Sequence, residues 1–218
     1  MERDLKEILL TEEQIQNKIR ELADQIYQEY GDKNPVFIGV LKGVVVFYAD
    51  FIRAFKGPCQ LDFMWISSYA GTQSTGNMLV RQDVSADLKG RHVVILEDIY
   101  DTGTSLNFVY QHLLAKEPAS VKICTLLDKP ERRRPGITLQ PDYTGFVIPN
   151  AFVVGYGLDY NEKYRNLSFI GILKPCVYGG EYIFRSFERS TIKEGSELYW
   201  VTTEDRREYS SIFWYSLF

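Results

Sequence analysis

At 218 residues with 45% hydrophobic side chains, the chain has enough apolar material for one α/β domain with a small appendage. A net charge of −4 provides no overall basic field to recruit nucleic acid, and no apolar run is long enough to span a bilayer. The charged N-terminus lacks the apolar centre of a signal peptide, Cys59, Cys124 and Cys176 fit reduced thiols, and two histidines exclude a His-rich zinc site, so a cytoplasmic protein is expected.

Residues 11–30 predict an amphipathic helix. Thr11 and Gln14 have capping-box spacing, Ile15, Ile19, Leu22, Ile26 and Tyr30 recur at helical intervals, and Gly31 is the stop. Residues 36–41 form a short apolar strand, followed by Lys42-Gly43 and a helical pattern over 44–55 with Phe47, Phe51 and Phe55 four apart. A strand, Lys-Gly and a helix suit a phosphate, although the Walker A spacing and the dinucleotide glycine fingerprint are both missing. Residues 61–66 predict another strand, and the small polar stretch 67–83 reads as a hairpin able to act as a lid.

The run from Val93 to Leu106 organises the chain. An apolar strand ends in Glu97 and Asp98, and the tight turn Asp101-Thr102-Gly103-Thr104-Ser105 opens a helix over 105–116. In open α/β sheets, ligands bind beyond the carboxyl ends of the strands. Gly103 lets backbone approach a ligand, Thr104 and Ser105 add hydroxyls, and the free N–H groups at the helix start favour an anion. Glu97 and Asp98 would repel that anion and make better sense facing sugar hydroxyls or a hard cation. These features suggest a sugar phosphate with a further charged substituent. An acidic pair before a capped helix also occurs in α/β proteins with no such ligand.

Residues 121–127 predict the next strand, ending at Asp128-Lys129. The loop Glu131-Arg132-Arg133-Arg134-Pro135 reads as solvated surface. Short β pieces at 146–148 and 152–154, the run 155–160 with Arg165 behind it, and a last strand at 169–173 complete the pattern. The alternation predicts an α/β fold, a mainly parallel sheet flanked by helices. Gly179-Gly180 marks a break, after which residues 181–218 mix charges with many aromatics. Taken singly, Lys42 and Lys129 read as surface lysines, Phe152 as a core aromatic and Asp101 as a turn residue or helix cap.

Taken together, Gly39 through Gly43, Ser67-Ser68-Tyr69, Glu97 through Leu106, Lys129, and Phe152 through Tyr160 with Arg165 resemble the hypoxanthine (hypoxanthine-guanine) phosphoribosyltransferases of the type I phosphoribosyltransferase family. The resemblance runs in order over roughly residues 4–178. It implies the type I phosphoribosyltransferase fold with a small hood over residues 1–178, and an atypical C-terminal extension at 179–218, expected to add a packing element. It implies magnesium-dependent transfer of 5-phosphoribosyl from phosphoribosyl diphosphate to hypoxanthine, and to guanine, giving IMP or GMP and diphosphate in purine salvage. A homo-oligomer, dimer or tetramer, is implied as well.

By that resemblance, Thr102, Gly103, Thr104 and Ser105 cradle the 5-phosphate, and Glu97 and Asp98 face the ribose. Leu41, Lys42, Gly43, Ser68, Tyr69 and Arg165 bind diphosphate, with a bond before Lys42 that can be cis. Phe152 stacks on the purine, the Val153 backbone reads its edge, and Lys129 donates to the 6-oxo oxygen. Asp159 lies near purine and diphosphate, and Mg2+ is associated with Glu97, Asp98 and Asp159. Asp101 acts as general base. The alternative is a non-catalytic, nucleotide-sensing regulator on the same fold, against which the purine-pocket residues and the acidic charge weigh.

Overall fold

The computed structural model describes residues 1–68 and 78–179, with the backbone alone at Ser68. Tyr69, the tip of the predicted lid and the C-terminal extension from Gly180 onward lie outside the described residues. The chain opens with β1 (Leu5–Leu10), which has no counterpart among the predicted elements. Its burial does not alternate and it carries Lys6 and Glu7, so it shows no period of two. Helix α1 (Glu12–Tyr30) starts at the predicted capping box: the Gln14 N–H donates to the Thr11 hydroxyl at 3.3 Å, and the Thr11 N–H donates to Gln14 Oε1 at 2.8 Å. Its buried face holds Ile15, Ile19, Leu22, Ile26 and Tyr30, and it ends at Gly31.

β2 (Val36–Leu41), α2 (Val45–Ala54), β3 (Gln60–Ser68) and β4 (Met78–Gln82) follow. After them come β5 (His92–Tyr100), α3 (Thr104–Leu114), β6 (Ser120–Asp128) and β7 (Tyr143–Val147). They build a six-stranded sheet in the order β4-β3-β2-β5-β6-β7, parallel except for the β3–β4 hairpin at one edge. β5 is longer than its apolar run. It continues through Glu97 and Asp98 because Glu97, Ile99 and Tyr100 pair with Thr125, Leu127 and Asp128 of β6, so the two carboxylates sit inside the strand rather than after it.

The sheet is covered on both faces. Phe37, Val94 and Leu96 pack with Ile15, Leu22, Phe47 and Phe51 of α1 and α2, while Ile38, Val93 and Ile95 pack with Leu106, Val109 and Leu113 of α3. Double burial explains why the central strands read as unbroken apolar runs. A second, three-stranded antiparallel sheet, the hood, has the order β1-β9-β8, with β8 (Val153–Val154) and β9 (Ile170–Leu173). The short helix α4 (Pro175–Tyr178) closes the described chain. No described helix is long and apolar enough to cross a membrane.

Candidate active site

The carboxyl ends of β2, β5 and β6 converge with the loops around the hood. Between β5 and α3, Gly103 adopts φ 84°, a left-handed conformation that glycine takes without strain. A Cβ there would lie 2.8 Å from Ile137 Cγ2 and 3.1 Å from the Tyr100 ring, so space as well as backbone conformation calls for glycine. The N–H groups of Thr102, Gly103 and Ser105 have no hydrogen-bond partner among the described residues; that of Thr104 reaches the Thr102 hydroxyl at 3.5 Å. Four successive N–H groups at a helix N-terminus make a site for an anion.

Glu97 and Asp98 are both buried, at 9% exposure. Asp98 lies against the loop after β2, where a Cβ on Gly43 would collide with its carboxylate. Burial pushes the Glu97 carboxyl well up, and the neighbouring Asp98 charge adds to this. Burial likewise pushes Asp98 up to about 6, against the Ile99 and Asp98 N–H groups and the Arg165 charge. Glu97 Oε2 is buried with no hydrogen-bond partner among the described residues.

Leu41–Lys42 is a cis peptide bond. Lys42 reaches Glu162 at 3.3 Å, Glu162 reaches Arg165 at 3.3 Å, and Arg165 reaches Asp159 at 2.9 Å, so both predicted diphosphate cations share one carboxylate. Arg165 also donates to the Gly157 carbonyl at 2.8 Å. Gly157, at φ 98°, is where this loop touches the loop after β2: a Cβ would run into the Gly43 carbonyl. Tyr156 anchors the same loop through its hydroxyl, which donates to Asp50 of α2. Asp159 accepts the Glu162 N–H at 2.8 Å. Among the described residues no group of three or more His, Cys, Asp or Glu side chains gathers to hold a metal, so Glu97, Asp98 and Asp159 do not form a three-carboxylate cage.

Lys129 follows β6 and is buried at 6% exposure, against the expectation for a lone lysine after a strand. Its ammonium donates to the Ala151 carbonyl at 2.6 Å, beside Phe152, and burial holds its pKa below the ordinary lysine value. Phe152 stacks on Tyr178 of α4 with ring centroids 4.7 Å apart and meets Tyr160 edge-on at 5.6 Å. Val153 pairs with Ile172 in the hood sheet, and the Phe152 carbonyl accepts from Leu173 N–H at 2.8 Å. The residues read as purine-facing thus sit where the hood meets the end of β6.

The expectation of solvated surface for residues 131–135 fails at two positions. Arg132 Nε donates to Asp101 Oδ1 at 3.0 Å, with the Asp101 side chain 37% exposed. Arg133 is largely, not fully, buried between the strand ends, and its guanidinium pairs with Asp128. The local pattern hid this, because a run of arginines beside a proline has the composition of surface. Glu162 was missed as well, although its spacing of three from both Asp159 and Arg165 is a visible signal.

A family profile described as phosphoribosyl transferase domain matches residues 7–161. The chain is 47% identical over 179 residues to the hypoxanthine-guanine phosphoribosyltransferase of Streptococcus pneumoniae, covering 82% of this chain and 98% of that protein. It is 44% identical over 175 residues to the hypoxanthine-guanine-xanthine phosphoribosyltransferase of Tritrichomonas foetus, covering 80% and 95%. A crystal structure of a hypoxanthine phosphoribosyltransferase from Staphylococcus aureus superposes with a TM-score of 0.78 at 46% identity, covering 82% of this chain and 96% of the other. With the parallel sheet, the phosphate-type loop and these matches in agreement, the chain belongs to the hypoxanthine-guanine phosphoribosyltransferases of the type I phosphoribosyltransferase family and is a phosphoribosyltransferase of purine salvage.

Proposed function

We propose that the enzyme transfers 5-phosphoribosyl from phosphoribosyl diphosphate to hypoxanthine and guanine, releasing diphosphate and giving IMP or GMP. The observation that carries the purine assignment is Lys129, a buried amine against the Ala151 carbonyl beside Phe152. A buried donor favours a 6-oxo acceptor and loses its partner when a 6-amino group replaces it, so adenine is rejected. The N–H groups of 102–105 suit the 5-phosphate, and Lys42 with Arg165 suits the diphosphate.

Asp101 stands at the mouth of the phosphate loop, exposed enough to meet a purine ring nitrogen, and takes its proton as that nitrogen bonds to the anomeric carbon. Arg132 orients the carboxylate until the base arrives. Glu97 Oε2, a buried carboxylate oxygen without a partner among the described residues, and Asp98 beside it fit one hard cation. Mg2+ is commonly held by one or two carboxylates together with substrate phosphates, so a three-carboxylate cage is not required. Bound there, Mg2+ supplies charge compensation for the departing diphosphate. The stretch 67–83, read from the sequence as a lid and including Ser68 and Tyr69, is assigned the exclusion of water from the activated ribose.

The test is a spectrophotometric assay with phosphoribosyl diphosphate and Mg2+, offering hypoxanthine, guanine, xanthine and adenine in parallel. Turnover of the 6-oxopurines without adenine is expected; adenine turnover would remove the role of Lys129. Asp101→Asn is expected to lower kcat by roughly two orders of magnitude or more with little change in either KM. We further propose a homo-oligomer in the cytoplasm. Leu61 and Trp65, four apart on β3 and 48% and 43% exposed, are apolar surface that a second copy would cover, and sedimentation velocity would detect it.

A further inference from the structure

Arg133 lies outside every motif that carried the family resemblance, yet it is the most heavily engaged side chain at the strand ends. Its side chain is 11% exposed and its guanidinium carbon sits 3.2 Å from the centre of the Tyr100 ring. One terminal nitrogen donates to the Tyr100 carbonyl at 2.7 Å, to the Asp101 carbonyl, and to the Lys129 carbonyl at 3.3 Å. The other pairs with Asp128. Tyr100 is held in place by its own hydroxyl, which donates to the Leu139 carbonyl at 2.8 Å.

The carbonyls of the phosphate loop complete the pattern. The Tyr100 oxygen also accepts from the Lys129 N–H at 2.9 Å, the Thr102 oxygen accepts from the Arg134 N–H at 3.1 Å, and the Gly103 oxygen accepts from the Asn107 N–H at 2.9 Å. Every carbonyl from Tyr100 to Gly103 therefore has a donor within the protein, while the N–H groups of Thr102, Gly103 and Ser105 have no partner among the described residues and that of Thr104 has only the Thr102 hydroxyl at 3.5 Å. Peptide orientation decides the sign of such a loop. A peptide flipped by half a turn presents a carbonyl where an N–H had been, and repels a phosphate instead of binding it.

We propose that Arg133 is a positioning residue of the phosphate loop: with the Arg134 N–H, it captures the loop carbonyls from behind, so that only N–H groups face the substrate's 5-phosphate. This rests on the proposed place of the 5-phosphate at Thr102–Ser105. A planar fork that stacks on an aromatic ring and reaches several carbonyls is an arginine property; a lysine ammonium keeps the charge opposite Asp128 but can neither stack flat nor span the same acceptors.

The test compares wild type, R133K, R134P and T104A as full chains, with KM measured for phosphoribosyl diphosphate and for hypoxanthine. T104A removes a cradle hydroxyl and checks the site itself; if its KM for phosphoribosyl diphosphate is that of wild type, the 5-phosphate assignment fails whatever Arg133 does. R134P removes the N–H that holds the Thr102 carbonyl, together with an exposed side chain that makes no hydrogen bond among the described residues, in a loop where Arg133 already has φ −58° and ψ 130°, a conformation suited to a residue before proline. R133K is expected to raise the KM for phosphoribosyl diphosphate about tenfold, and R134P several-fold, with the KM for hypoxanthine within about twofold of wild type. In R133G, free guanidinium is expected to restore turnover saturably, and to leave wild type and T104A unaffected. A wild-type KM for phosphoribosyl diphosphate in R134P or in folded R133K overturns the proposal. Parallel rises for both substrates also overturn it, because they would mark Arg133 as a buried ion pair serving stability alone. Should R133K not fold, R134P decides by itself.

Discussion

Glu97 and Asp98 carry an electrostatic cost of burial that the Ile99 N–H and the Arg165 charge relieve only in part at Asp98, and that no hydrogen-bond partner among the described residues relieves at Glu97 Oε2. Both are held above their ordinary values, chiefly by burial, with Asp98 at about 6. The folded state then binds more protons than the unfolded chain from about pH 4 upward, so the stability that comes from neutral carboxyls is present at low pH and lost as pH rises through about 6. Thermal unfolding across this window should show the loss, and Asp98→Asn should flatten the slope while raising Tm above pH 6. Glu162 presents the opposite case. It is a 63% exposed carboxylate standing between Lys42 and Arg165, where an incoming diphosphate would compete with it. Glu162→Gln is expected to strengthen product inhibition by diphosphate a few-fold, an effect that should fade in high salt.

At the level of elements, the aromatic bracket on Phe152 joins the hood to α4. Tyr178 stacks on the ring and Tyr160 meets it edge-on, so the two together fix the plane of the ring proposed to stack on a purine. Tyr178→Ala should therefore raise the KM for hypoxanthine several-fold with little change in the KM for phosphoribosyl diphosphate, as read by initial rates. The elements differ in how visible they are in the sequence. α1 announces itself through Thr11, Gln14 and a regular apolar face, and β2 and β5 through doubly buried runs. β1 is invisible because its fold depends on a partner 160 or so residues away, as the Leu10–Ile170 pairing shows, and not on its own pattern. The site residues were legible as motifs, but the burial of Lys129 and the inward turn of Arg133 depend on how two strand ends meet, which local composition does not encode.

Across the whole molecule, the site draws on two sheets. The anion-binding loops and the acidic pair belong to the six-stranded sheet, while Phe152 and Val153 belong to the hood. In the proposed reading the base is stacked from the hood while its 6-oxo donor, Lys129, comes from the end of β6, so base preference draws on both sheets. The hood has a further consequence, for synthesis. Its first strand, β1, is made before every other described strand and its partner β9 after them, with the Lys174 N–H donating to the Asp4 carbonyl at 2.9 Å as a further tie. The strands of the large sheet end at β7 and can pair while β1 waits unpaired, an exposed edge that nascent-chain chaperones would recognise, although Ile148, Val153, Tyr156 and Ile170 complete its helix-side core only later. Ribosome-bound chains that expose β7 but not β9 outside the exit tunnel should then resist protease across the large sheet and be cut ahead of α1, with protection of that segment arriving only once β9 has emerged.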